Sequence, residues 1–202
     1  HVGCVGKDGT WLRDLLVAEG VDVDHLGTTS TPTGHAIIAV DQAGENQIIL
    51  YPGANRGISG DQIGQALSAA NAGDILVLQN ETNMQAEAAK MARDLGLKVA
   101  YAAAPFEAEA VRQVLPYLDL LFLNQVEAEQ LQQVTGQSAD ALGVTDVIVT
   151  LGAQGARHYS ASSGQALDVA ALPNQTSEAL HRAAVANWCL TPTLGLQWKT
   201  HC

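Results

Sequence analysis

The apolar positions of this chain fall into two rhythms. Trp11, Leu12, Leu15, Leu16 and Ala18 recur at helical spacing after Gly6-Lys7-Asp8-Gly9, and Gly20 follows the stripe as a C-terminal stop. Residues 21–26 then alternate apolar with polar, the period of a half-buried strand. Two β-rich runs follow, 35–41 and 46–51, joined by the Gly-containing turn Gln42-Ala43-Gly44-Glu45. That spacing predicts a hairpin, released into the loop Pro52-Gly53-Ala54-Asn55.

From residue 60 onward helix and strand take turns. Helices are expected over 61–70, 83–95, 106–115 and 126–134, with stops at Gly96 and Gly136. Strands are expected over 74–79, 97–102, 119–123 and 146–150. These read as continuous apolar runs between amphipathic helices, which predicts a parallel sheet covered on both faces, with right-handed crossovers. Residues 156–160 and 166–171, split by Ser162-Ser163-Gly164, read as a second hairpin. After Thr176 the composition shifts to an Ala-rich helical stretch over 177–190, and 191–202 reads as an irregular tail. The organisation predicted is an α/β body over 1–32 and 52–190, with a β lid hairpin over 33–51.

The 202 residues and 21.1 kDa fit one domain, and 47% apolar content suffices for a sizeable core. No apolar run reaches the eighteen or so residues of a membrane-spanning helix, and His1-Val2-Gly3-Cys4 does not read as a secretory leader. A net charge of −11 argues against nucleic acid and anionic lipid as partners. It leaves open a small phosphorylated ligand held by backbone donors and metal. Three widely spaced cysteines suggest a reducing, cytoplasmic setting rather than a disulfide framework.

Ligands of a doubly wound sheet bind beyond the carboxyl ends of its strands, so the residues just after each strand are the candidates for chemistry. Glu81, in Leu78-Gln79-Asn80-Glu81-Thr82, reads either as a carboxylate for a polyol substrate or as an acid suited to a helix N-terminus. Asn124 and Glu127 stand three residues apart at the entry to a helix, on one helical face. They could organise hydrated magnesium and phosphate oxygens, or form a capping box. Thr150-Leu151-Gly152-Ala153-Gln154-Gly155 is either a glycine-flanked loop open to a phosphate or a tight turn into the next strand. No Gly-x-Gly-x-x-Gly follows a strand, no Gly-x-x-x-x-Gly-Lys-Ser/Thr is present, and no Gly-x-Ser-x-Gly elbow occurs. The six histidines show no metal-ligand spacing.

Taken in order, these segments resemble the ribokinase family of sugar kinases, the PfkB-type carbohydrate kinases. Val2 to Gly9 is similar to the family's Gly-x-Val-Gly-x-Asp-x-x-Gly segment, and Gly20-Val21-Asp22-Val23 to the stretch that follows it. Thr33-Gly34-His35 through Asp41 and Gly53-Ala54-Asn55 resemble the lid hairpin and its exit. Leu78-Gln79-Asn80-Glu81, Asn124-Gln125-Val126-Glu127-Ala128-Glu129 and Val149-Thr150-Leu151-Gly152-Ala153-Gln154-Gly155 resemble three further signatures, so the likeness covers residues 1 to about 176. It implies a ribokinase-like three-layer αβα fold with a mostly parallel sheet. It implies ATP-dependent phosphorylation of a ribose-like sugar hydroxyl with Mg²⁺, and a homodimer formed through the lid hairpin. It assigns Glu81 to the sugar, Asn124, Thr150, Gly152 and Gly155 to ATP, and Glu127 to the metal.

The departures bear on catalysis. The family begins with a further strand bearing a substrate-binding Asp and with a Gly-Gly-Lys-Gly-x-Asn segment, and this chain starts after both. The family's Asp-Thr-x-Gly-Ala-Gly-Asp element, which supplies an anion hole and the catalytic base, is expected after residue 171. Here Leu172-Pro173-Asn174-Gln175-Thr176 runs straight into Ser177, so no residue of this chain matches the base. The span from Gly136 to Asp146 is short, and Pro192 to Gln197 only echoes a later turn. Three readings follow: a sugar kinase given as an incomplete sequence, an inactive remnant that binds nucleotide or dimerises, or another α/β binding protein.

Overall fold

The computed structural model describes residues 1–40 and 46–171. The chain enters on a short strand, β1 (Gly3–Gly6), and turns into helix α1 (Thr10–Ala18). It returns on β2 (Leu26–Thr29), parallel to β1. The hairpin follows as β3 (His35–Val40) and β4 (Asn46–Tyr51), antiparallel, with His35 opposite Tyr51 and Val40 opposite Asn46. Helix α2 (Gly60–Leu67) then leads into the repeating part: β5 (Ile75–Gln79), α3 (Gln85–Asp94), β6 (Lys98–Ala102), α4 (Ala108–Val114), β7 (Leu120–Asn124), α5 (Gln125–Thr135) and β8 (Asp146–Thr150). β9 (Ala156–Ser160) and β10 (Gln165–Val169) close the sheet.

Strands β5 to β8 are mutually parallel, and β9 and β10 are added antiparallel at one edge, giving the order β10-β9-β8-β7-β6-β5. Alternation along each strand divides the core. Val99, Tyr101, Leu121, Leu123, Val147 and Val149 face α2 to α5 and meet Ile63, Leu67, Ala89, Ala92, Val111, Val114 and Leu131 in one cluster. Ala100, Leu120, Phe122 and Ile148 form a second cluster on the opposite face. Small alanines on α3 let it lie close to the sheet, which suits the dense packing of a protein interior.

At β1 the same two-sided arrangement recurs. Cys4 joins the main cluster beneath α2, while Val5 packs with Val23 and Leu26 against Leu12 and Leu16 of α1. Gln62 of α2 ties the pieces together by donating from Nε2 to the carbonyls of Gly3 (2.7 Å) and His25 (2.8 Å). Helices α2 to α5 thus lie on one face of the mostly parallel six-stranded sheet, and α1 packs on the β1–β2 pair from the side opposite α2; among the described residues no helix covers the sheet's second face.

Two expectations fail locally. Residues 21–26 are not a strand: the Asp22 carboxylate accepts the Asp24 N–H at 2.8 Å, and Leu26 N–H donates to the Val23 carbonyl at 3.0 Å. This Asx-type turn competes with extension, so the strand begins only at Leu26. Val23 and Leu26 are nonetheless buried, which explains the alternation that suggested a strand. Conversely, Gly3–Gly6 is a wholly buried strand that its short, glycine-flanked sequence did not suggest. The hairpin's turn residues, the helix expected over 177–190 and the tail over 191–202 lie outside the described residues.

Candidate functional site

Register fixes where the candidate residues stand. Gln79 pairs with Ala102, Ala102 with Phe122, and Asn124 with Thr150. The carboxyl ends of four parallel strands therefore form one edge, and the segments bearing Glu81, Asn124, Glu127 and Thr150 all leave from it. Neighbouring strands lie about 4.8 Å apart, so β5 and β8 are separated by roughly 14 Å across this edge.

Asn124 ends β7 and caps α5. Its Oδ1 accepts the Glu127 N–H at 2.8 Å, and the Glu127 carboxylate accepts the Asn124 N–H at 2.7 Å. The capping box read from the spacing is thus formed. Such a pair satisfies two otherwise orphaned N–H groups and holds both side chains at the edge.

Thr150 is 4% exposed, and its hydroxyl faces the Leu123 carbonyl at 3.5 Å, so it braces β7 against β8. The turn beyond it is tight: Gly155 N–H donates to the Gly152 carbonyl, and Leu151 N–H to the Gly155 carbonyl. Its two glycines differ in kind. A Cβ at Gly152 would meet open space, whereas one at Gly155 would lie 2.0 Å from the Val169 carbonyl oxygen. Gly155 is demanded by the close approach of the chain leaving β10; Gly152 leaves its side of the turn clear.

Glu81 is exposed, two residues beyond β5, at the same edge as the others but on the far strand. Its neighbour Asn80 was not singled out in the sequence, yet it is 3% exposed and engaged through both polar side-chain atoms and its backbone N–H. Asn80 Nδ2 donates to the Pro105 carbonyl (2.8 Å), its N–H to the Ala104 carbonyl (3.2 Å), and its Oδ1 accepts from Gln85 (3.2 Å). It staples the exit of β5 to the exit of β6 and so fixes the loop that presents Glu81. A lone Asn after a strand gives no sign of burial, which is why spacing could not find it.

Among the described residues no three His, Cys, Asp or Glu side chains gather as a metal cage. No described helix is long and apolar enough to cross a membrane.

A mostly parallel α/β sheet with polar side chains gathered at its carboxyl edge defines a ligand-binding fold of the doubly wound class. The sequence matches the pfkB family carbohydrate kinase profile over residues 1–177. It is 31% identical over 169 residues to the ribokinase of Haemophilus influenzae, covering 76% of this chain and 55% of that protein. Among solved structures, Thermotoga maritima ribokinase superposes with a TM-score of 0.71 at 28% identity, covering 86% of this chain and 60% of its own. Arabidopsis thaliana ribokinase, solved with ribose and ATP, gives 0.67 at 25% identity, covering 86% and 62%. The chain belongs to the pfkB family of carbohydrate kinases, and it spans less than two thirds of the length of these relatives.

Proposed function

We propose that this chain carries the nucleotide-holding part of an ATP-dependent sugar kinase, which phosphorylates a hydroxyl of a ribose-like sugar by in-line transfer of the γ-phosphoryl group. The observation that carries the reading is the pairing of Asn124 with Thr150 at the carboxyl edge, beside a turn left open at Gly152. Ribose and ATP in the Arabidopsis relative supply the substrate pair.

Phosphoryl transfer asks a protein mainly for positioning and charge stabilisation. In this reading Asn124, Thr150 and the Gly152–Gly155 turn face the phosphates of ATP, and Glu81 accepts hydrogen bonds from sugar hydroxyls. The Thr150 hydroxyl and Gly155 act there by shaping the turn, since both are engaged by neighbouring backbone. Glu127 would be the carboxylate that holds the metal. A single carboxylate already accepting one backbone N–H fits a magnesium ion that keeps its waters and arrives with the phosphates, not one caged by protein. When bound, Mg²⁺ neutralises phosphate charge.

A second reading keeps nucleotide binding without transfer. It is favoured by the sequence between Val169 and Leu190, which holds no Gly-Ala-Gly-Asp. Loss of a general base alone costs about 10²–10⁴ in rate. Titration of the purified chain with Mg-ATP and with ADP, followed by thermal unfolding, tests both readings: a saturable rise in the midpoint is expected. No rise with either nucleotide would sink both. Transfer of labelled phosphate to ribose would then separate the kinase from the remnant.

We also take the chain to be a cytoplasmic homodimer joined through β3 and β4. Ile37 and Ile49 lie on one face of the hairpin, Ile38 and Ile48 on the other, and all four are more than half exposed. Apolar area on that scale marks an interaction surface. One sheet face covering the site and the other meeting a second copy would account for both. Sedimentation at rising concentration should show a dimer that Ile48→Asp abolishes; a monomer at all concentrations would overturn this.

A further inference from the structure

Among the described residues, the hairpin's extended contacts with the rest of the chain lie at its base. Every described side chain of β3 and β4 is exposed, and the strands make their extended contacts with each other alone. Its angle to the body must therefore be set where three segments converge: 6–9 after β1, 31–34 before β3, and 52–55 after β4.

That junction is built around Thr33. Its N–H donates to Asp8 Oδ1 at 3.0 Å, its hydroxyl donates to the same oxygen at 2.9 Å, and its Oγ1 accepts the Gly6 N–H at 2.9 Å. The second carboxylate oxygen stands 3.3 Å from the Thr33 N–H. Across the hairpin's other leg, Ala54 N–H donates to the Pro32 carbonyl at 2.9 Å. The segments can close this far only because they lack side chains at the contact. A Cβ on Gly6 would lie 2.6 Å from the Thr31 carbonyl oxygen, and one on Gly34 would lie 2.5 Å from that of Pro52.

We propose that Asp8 is a positioning residue that latches Thr33, and that the Asp8–Thr33–Gly6 unit fixes the hairpin's orientation relative to the body. The latch is local and polar, whereas the body is held by its apolar core, so the two can be broken separately. Carboxylate acceptors make stronger hydrogen bonds than neutral ones, and two donors from one residue define a direction as well as a distance. His35 extends the same grip: its Nδ1 lies 3.1 Å from the Thr33 carbonyl, and its ring rests 5.1 Å from that of Tyr51. The inference concerns the hairpin's angle and stands whether or not the chain binds nucleotide.

Residual dipolar couplings of the ¹⁵N-labelled full chain test it without added probes. In the native chain and in Thr33→Ser, the amides of β3 and β4 are expected to share the alignment of β5 to β8. In Asp8→Ala and in Thr33→Val, the hairpin's degree of order should fall at least about twofold, and exchange should quicken about tenfold at the Thr33 amide in Asp8→Ala and at the Gly6 amide in Thr33→Val, as expected for a lost hydrogen bond. The couplings of β5 to β8 should be unchanged. Thr33→Val preserves side-chain size and decides the matter should Asp8→Ala fail to fold. A hairpin that keeps its alignment in Thr33→Val would overturn the proposal. So would loss of order throughout the sheet in that variant, or a Thr33→Ser chain that behaves like Thr33→Val.

Discussion

Strands β7 and β3 are written in nearly the same alphabet. Leu120-Leu121-Phe122-Leu123 and Ala36-Ile37-Ile38-Ala39-Val40 are both unbroken apolar runs, yet Leu120, Leu121 and Leu123 are wholly buried while Ile37 and Ile38 are each 58% exposed. In β7 both faces are used: Leu121 and Leu123 meet the helices, and Leu120 and Phe122 fill the second cluster. In the hairpin neither face is covered by a described residue. An apolar run therefore reports that a strand will be buried on both sides, and says nothing of whether the covering comes from within the chain. The body supplies its own; the hairpin has none among the described residues.

The sharpest way to break this contrast is to truncate one side chain in each region. Leu121→Ala should lower the unfolding free energy by about 3–5 kcal/mol, the cost of a buried leucine cavity. Ile37→Ala, measured in dilute solution by urea unfolding, should change it by less than about 0.5 kcal/mol, as exposed substitutions do. Equal losses at low concentration would mean that the hairpin is already packed. A cost for Ile37→Ala that grows with protein concentration would identify a second copy as its cover.

A smaller effect of opposite sign lies inside the body. Tyr101 is wholly buried on β6, and its hydroxyl has no hydrogen-bond partner among the described residues. Burial, with a lesser contribution from the negative charge of Glu107, pushes its phenol up to about 12. An unpaired buried hydroxyl carries a desolvation cost, so Tyr101→Phe should raise stability by about 1 kcal/mol. A lowered urea midpoint would show instead that the hydroxyl is paired.

Asn124→Ala acts at the edge between packing and chemistry. Loss of the cap should cost about 1 kcal/mol of stability. In the nucleotide-binding reading, the same change weakens Mg-ATP binding as well. Stability lost with affinity intact would confine Asn124 to the capping role.

The elements were legible where one rule decided them. Strands β5 to β8 and the helices between them follow from apolar runs and helical stripes, because packing there agrees with local preference. Residues 21–26 misled because Asp22 closes a turn through its own side chain, a choice invisible to a period-two pattern. The placement of the candidate residues was half legible: order along the chain brought Glu81, Asn124 and Thr150 to one edge, since parallel strands must end together. What order could not reveal was direction. The Thr150 hydroxyl turned toward the strand, Gly155 pressed against β10 and Asn80 pinning the loop below Glu81 all depend on contacts between segments distant in sequence. Asp8 and Thr33, 25 residues apart, belong to the same kind.

The seam between the two regions is where acid should act with the finest resolution. The Thr33 N–H and hydroxyl, both donating to the Asp8 carboxylate, hold it below its ordinary value of 3.8, with a smaller contribution from the charge of His35. A carboxylate so lowered adds its hydrogen bonds in full above that value, and loses them only as pH falls through the lower native one. From neutral pH down to the ordinary carboxylate range, the hairpin's angle should therefore not change. The carboxyl carbon shift of Asp8, followed by NMR, should titrate with a midpoint below 3.8 in the native chain. In Thr33→Val the midpoint should rise toward that value, because the hydroxyl donor is gone while the backbone donor remains. A native midpoint at or above 3.8 would mean that the carboxylate is not held by Thr33, and the hairpin's angle would then have to be fixed by the backbone contacts of Gly6 and Gly34 alone.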